Sequence, residues 1–258
     1  MKAKKSFGQN WLRDEYTLDQ IIDSADISRE DTVLEVGPGL GYLTSKLASK
    51  AGNLVCVEAD HDLIPHLIHQ YGQVSNVEIV QADILKYDLT KLPKDYLVVA
   101  NIPYYLTSNL IRQFLESKNP PIRMVLMVQK EVAERITATP GQMSTLSFSV
   151  QYYATAEIVA TVAKELFEPI PKVDSAIIKI SQRNEPAFKA DTKNLFRLVK
   201  AGFGEKRKML RNSLAGGLQI STSQAEYLLK QSGLQSTVRA QELSLEQWQI
   251  LYMHFSSL

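Results

Sequence analysis

Cysteine is almost missing from this sequence: Cys56 is the only one in 258 residues. It has no partner for a disulfide. Its place in the apolar run LVCVE (54–58) reads as a buried thiol, as expected of a chain kept in a reducing cytoplasm. Histidine is scarce too. Three of the four, His61, His66 and His69, fall on one predicted surface helix with no cysteine cluster to join them, so no metal site is expected. No run of 18 apolar residues occurs, so no transmembrane helix is expected, and the basic start MKAKKSFGQNWL lacks the apolar stretch of a signal peptide. Internal repeats and low-complexity segments are absent. What remains, 45% apolar and 22% charged residues, is the composition of a soluble globular protein. The length suits one large domain, or one of about 180 residues with a small companion.

A formal net charge of +1 conceals an asymmetry. Residues 1–182 hold 18 Lys and Arg against 22 Asp and Glu, whereas residues 183–258 hold 11 against 6. Most of the excess lies in KADTKNLFRLVKAGFGEKRKMLRN (189–212), a module that could meet phosphates or simply present a solvated helical face.

From residue 16 to about 136, helical and strand patterns alternate: YTLDQIIDSADI, then DTVLEVG, GYLTSKLASKAG, LVCVEAD, HDLIPHLIHQYG, VEIVQAD, YLVVAN, LTSNLIRQFLES, RMVLMVQ and KEVAERIT. That order predicts a mostly parallel sheet with helices on both faces and strand C-termini gathered at one ligand-binding edge. After residue 144, STLSFSVQYY, AEIVATVAK and KVDSAIIKIS read as strands without intervening helices, so antiparallel strands should close the sheet. The join SQRNEPAF then leads into four predicted helices, two with capping boxes, Ser223 with Glu226 and Ser244 with Gln247. A boundary near residue 183 divides a domain of residues 1–182 from a helical one of 183–258.

The first strand of the alternation ends in Glu35-Val36-Gly37-Pro38-Gly39-Leu40-Gly41. A dinucleotide site prefers G-x-G-x-x-G with amides gripping pyrophosphate. Here Pro38 removes an amide, and the Glu35 charge would repel pyrophosphate while suiting an ammonium or sulfonium. Glu58 ends the next strand, where an acid can accept ribose hydroxyls. Asp83 follows the third, placed to reach an adenine amino edge. A bare glycine loop and three acids at successive strand ends describe S-adenosylmethionine better than NAD.

In VVANIPYYLTSNLI (98–111) an amide stands where an apolar strand stops. Pro103 stiffens the turn, two tyrosines follow, and Thr107 or Ser108 could cap the next helix. Beside a methyl donor, Asn101 Oδ1 and the Ile102 carbonyl can each accept an N–H bond from an adenine amine. That draws the nitrogen toward tetrahedral geometry and turns its lone pair to the methyl. Tyr104 can stack on a flipped base. No strong general base is needed, because the amine sheds its proton after transfer.

The chain resembles the KsgA/RsmA family of ribosomal RNA adenine dimethyltransferases. The resemblance rests on FGQNWL (7–12), LEVGPGLGYLT (34–44), VEAD (57–60), QADIL (81–85), NIPYYLTSNLI (101–111), MVQKEVAERI (127–136), LFEPIPKVDSAI (166–177), FGEKRKMLRN (203–212) and RAQELSLEQ (239–247). It implies a Rossmann-like class I S-adenosylmethionine-dependent methyltransferase, with a mostly parallel seven-stranded sheet and a small all-helical C-terminal domain. It also implies transfer of four methyl groups to two adjacent adenines in the 3′-terminal hairpin of 16S RNA within a pre-30S particle, leaving S-adenosylhomocysteine. The implied enzyme is cytoplasmic and monomeric, with no membrane partner. Carried over, Asn10 and Leu12 flank the cofactor, Gly37 lies under its methionine part, Glu58 binds ribose and Asp83 contacts adenine. Asn101 contacts methionine and target amine, with Gln9, Glu35 and Gly39 as further contacts. Phe167 would stack on the flipped base opposite Tyr104, or else pack in the core beside Pro169. Arg207, Lys208 and Arg211 match the basic motif, with Lys206 replacing its first arginine. Other departures are Ile102, Tyr105 and Trp11, where the family often carries leucine, asparagine and phenylalanine. An Erm-type enzyme acting on 23S RNA, or a non-catalytic assembly or nucleic-acid-binding relative, are the competing readings.

Overall fold

The computed structural model describes residues 3–4, 7–205 and 207–256. Two compact units form, one from residues 1–134 and 155–182, the other from 135–154 and 183–258. The chain therefore enters the helical unit twice, not only at residue 183.

In the first unit a seven-stranded sheet has the order β4-β3-β2-β5-β6-β9-β7. Its strands are β2 (Thr32–Val36), β3 (Asn53–Glu58), β4 (Val77–Gln81), β5 (Leu97–Asn101), β6 (Arg123–Gln129), β7 (Ala154–Val162) and β9 (Ser175–Gln182). β2 pairs in parallel with β3 and β5, and β9 runs antiparallel to β6. Helices α1 (Glu15–Ala25), α2 (Tyr42–Lys50), α3 (Ile64–Tyr71), α4 (Thr107–Leu115) and α5 (Lys130–Ile136) alternate with the strands. The central strands read as continuous apolar runs because helices cover both faces. Val33, Leu54, Leu97 and Val125 from four strands share one core with Ile21 of α1 and Leu47 of α2. Sequence order reverses between β2 and β5, the crevice where open α/β sheets bind ligands. A second, two-residue ladder joins β1 (Trp11–Leu12) to β8 (Phe167–Glu168). Among the described residues no helix is long and apolar enough to cross a membrane.

STLSFSVQYY is a helix, not a strand: α6 (Thr145–Tyr153) opens on a reciprocal capping box between Ser144 and Ser147. Its β-prone residues are overridden by packing. Phe148 and Tyr152, one turn apart, stack with ring centroids 5.9 Å apart, and Phe148 meets Trp248 edge-on at 5.8 Å. The same core draws on α7 (Thr192–Phe203), α8 (Leu210–Leu218), α9 (Thr222–Gln231) and α10 (Leu245–Phe255). The Ser244–Gln247 box forms as expected, but α9 is capped by Ser221 with Gln224 rather than Ser223 with Glu226. Neither Thr107 nor Ser108 caps α4, which starts after Leu106 without a side-chain cap.

Candidate active site

The C-terminal ends of β2, β3 and β5 and the turn after β4 surround a cavity of about 410 Å³. After β2 the backbone turns through Gly37, Gly39 and Gly41 at φ +66°, +60° and +86°, conformations that L side chains resist. A Cβ on Gly37 would meet nothing within 4 Å, so this glycine leaves space over the loop as well as permitting its turn. The loop is tied to the next strand end by the Gly37 amide donating to the Val57 carbonyl at 2.9 Å.

Two buried acids stand behind the loop. Glu35 is 1% exposed, accepts the Cys56 thiol at 3.4 Å, and is pushed by burial up to about 7, the neighbouring Glu58 charge acting the same way. Glu58 accepts the amides of Asp60 at 2.8 Å and Gly39 at 3.2 Å, and burial raises its pKa. Asp83 is exposed, with Oδ1 capping the Leu85 amide at 3.0 Å. All three acids line the cavity, as do Gln9, Asn10, Leu12, Gly37, Gly39, Asn101, Pro103 and Tyr104.

Asn101 closes β5 with its amide oriented by the N-terminal arm: Nδ2 donates to the Asn10 carbonyl at 3.0 Å. With the donor end engaged, Oδ1 remains as an acceptor. The Ile102 amide donates to the Met127 carbonyl at 3.3 Å, while the Ile102 carbonyl takes no backbone hydrogen bond among the described residues. Tyr104 is half-buried, its hydroxyl sharing a 2.7 Å hydrogen bond with that of fully buried Ser175 at the start of β9.

Phe167 is the expected site residue that does not reach the cavity. It is 3% exposed, pairs with Leu12 across the β1–β8 ladder and packs in the sheet unit's core. The alternative weighed for it, core packing, describes its position. Sequence reading also missed the clamp on the arm. Lys4 Nζ reaches Asp60 at 2.6 Å and Asp62 at 2.5 Å, and Gln9 Nε2 donates to Asp60 at 2.9 Å. Partners 56 residues apart leave no local spacing to notice.

In the helical unit, Lys206 lies outside the described residues. Arg207 is exposed, Lys208 pairs with Glu205 at 2.5 Å, and Arg211 pairs with Glu226. Two of the expected phosphate contacts thus already hold internal carboxylates.

Comparison with known proteins follows the same lines. The family described as ribosomal RNA adenine dimethylase matches residues 1–256. The chain is 42% identical over 260 residues to ribosomal RNA small subunit methyltransferase A of Alkaliphilus metalliredigens, covering 97% of this chain and 91% of that one. It is 39% identical to the protein of that name from Dehalococcoides mccartyi, covering 99% and 89%. Among solved structures, a dimethyladenosine transferase from Plasmodium falciparum superposes with a TM-score of 0.82 at 26% identity, covering 95% of this chain and 97% of that one. The 23S rRNA methyltransferase ErmE superposes at 0.78 with 29% identity, covering 96% and 100%.

Proposed function

The chain belongs to the ribosomal RNA adenine dimethylase family, and we propose how its cavity serves that reaction. It is an S-adenosylmethionine-dependent rRNA adenine-N6,N6-dimethyltransferase acting on 16S RNA. Identities near 40% to small-subunit enzymes, against 29% to ErmE, favour the small subunit over the 23S reading. We assign as substrate the two adjacent adenines of the 3′-terminal hairpin, late in assembly of a cytoplasmic pre-30S particle, and a monomer as the acting form.

The cavity suits S-adenosylmethionine on three counts: the open space at Gly37, the buried carboxylate of Glu35 for a cationic group, and acids at the ends that should meet ribose and adenine, Glu58 and Asp83. Bound there, the cofactor supplies an electrophilic methyl group on a sulfonium. The protein's part is positioning and electrostatics. Asn101 Oδ1 and the Ile102 carbonyl accept the two N–H groups of a flipped adenine, so the amine lone pair faces the cavity. Tyr104 stacks on the base, its ring held by Ser175. As the nitrogen becomes cationic these two oxygens stabilise it, and the surplus proton leaves to water. The observation that carries this reading is the Asn101 amide, whose nitrogen donates to the Asn10 carbonyl and whose oxygen has no hydrogen bond among the described residues.

Immature small subunits, large-subunit RNA and duplex DNA, each incubated with methyl-labelled cofactor and this protein, test the assignment. Dimethyladenine should form in the small subunit. Label confined to the other two substrates rejects it.

A further inference from the structure

The cations of the helical unit outside residues 206–211 have no role so far. On α7, Lys193, Arg197 and Lys200 are exposed, at spacings of i, i+4 and i+7, so three like charges line one helical face over about 10 Å. Among the described residues none of the three forms an ion pair. The helix carries no carboxylate from Thr192 to Phe203, and Asp191 before it is engaged in capping the Asn194 amide at 3.1 Å. Leu195, Phe196, Leu198 and Val199 occupy the other face in the core, which fixes the charged stripe outward.

For the isolated fold this arrangement is unfavourable. Like charges at i and i+4 repel, each pair by a few tenths of a kcal/mol. Lys193 also sits in the first turn, at the positive end of the helix dipole, where a cation is disfavoured and the N-cap Asp191 is already engaged with the Asn194 amide. A stripe of like charges that forms no ion pair among the described residues works against stability, and such local conflicts are expected at functional surfaces. The contrast with Lys208 and Arg211, which hold carboxylates of their own unit, makes the point sharper.

We infer that the Lys193–Arg197–Lys200 face of α7 is a surface for the RNA phosphate backbone. The inference rests on the RNA substrate proposed above. The other exposed residues in its first turn, Thr192 and Asn194, are small and polar, and the stripe contains no aromatic side chain to stack on a base. It therefore positions RNA through phosphates and adds little sequence discrimination.

The test is a salt series of binding to small-subunit ribosomal RNA with the full chain. It compares wild type, K193Q/R197Q/K200Q, and a charge-matched control, K91Q/K94Q/K118Q, at exposed lysines of the sheet unit. Each lost phosphate contact removes about 0.7–0.9 from the slope of log K against log salt, so the α7 triple should be shallower by about 2. Arg197→Gln alone should lose about one such increment. The control slope and the cofactor binding of both triples should stay at wild-type values, and the α7 triple should melt at or slightly above wild type once its like-charge repulsion is gone. An unaltered slope in the α7 triple, or an equal change in the control, overturns the inference. If wild type methylates small subunits while the α7 slope is unaltered, only this inference falls. If wild type methylates no RNA, the proposed function falls, and the slopes still decide whether α7 binds RNA.

Discussion

Around its cavity the sheet unit buries three carboxylates, whereas the helical unit displays a row of cations. Around the cavity, Glu35, Glu58 and Asp60 are 1%, 6% and 1% exposed, held by backbone amides, a thiol, Gln9 and Lys4. In the helical unit the buried polar side chains among the described residues are serines, while Lys193, Arg197, Lys200 and Arg207 face solvent. The difference matches the ligands proposed for each. A small cationic ligand that enters a cavity can compensate a desolvated carboxylate, at the cost of stability when it is absent. A polyanion meets solvated cations across a surface, with affinity set by salt. The first arrangement should therefore show itself in pH dependence, the second in ionic strength.

Five substitutions break or sharpen that contrast. Asn101→Ala should be the most damaging, lowering single-turnover methyl transfer by about 10³-fold, the scale for loss of a positioned hydrogen-bonding group. RNA binding should persist, and substantial surviving turnover would contradict the acceptor role.

Glu35→Gln should act in the opposite direction on stability. The folded pKa lies near 7, above the ordinary 4.5, so the protonated carboxyl is the form the fold favours. Its stabilisation is complete below pH 4.5 and is lost as pH rises through about 7. Ligand-free wild type should therefore lose up to about 3 kcal/mol across that window relative to Glu35→Gln, measured by urea unfolding at several pH values. Cofactor affinity should rise with pH to about 7 in wild type and be flat and weaker in the variant. Parallel stability profiles would remove Glu35 from the electrostatics of the site.

Tyr104→Phe and Ser175→Ala should each cost about 1 kcal/mol in kcat/KM, with the double variant no worse than the poorer single one. Additive losses would mean that the shared hydrogen bond does not hold the ring. Arg211→Gln should have the smallest effect: about 1 kcal/mol or less of stability through the lost Glu226 partner, with the salt slope of RNA binding nearly unchanged. A slope change as large as that of an α7 residue would return Arg211 to the RNA surface.

The alternation of strands and helices was legible because each central strand is apolar throughout and each flanking helix has one apolar stripe, patterns set by a sheet covered on both faces. Glu35, Glu58, Asp83 and Asn101 were legible for a related reason: a polar residue ending an apolar strand must point somewhere. What escaped depends on partners distant in sequence. Phe167 reads as an aromatic beside a proline-rich turn, and only its pairing with Leu12 shows that it packs inward. α6 carries β-prone residues, yet the i, i+4 pair Phe148 and Tyr152 held the helical signal, obscured by Ser147 and Ser149 on either side of Phe148. Glu226 fits a capping pattern locally, but lies opposite Arg211 on a neighbouring helix and serves there instead.

The hydrogen bond from Asn101 Nδ2 to the Asn10 carbonyl spans 91 residues. An affinity tag or protease cut before residue 10 that lifts the arm would free the carboxamide to swivel by half a turn, presenting hydrogens where the proposed mechanism calls for an oxygen. Such a preparation could still pass for healthy by melting curve and gel shift while being catalytically silent. On the proposed acceptor role of Asn101, removing the leading segment should therefore depress methyl transfer more than it depresses stability.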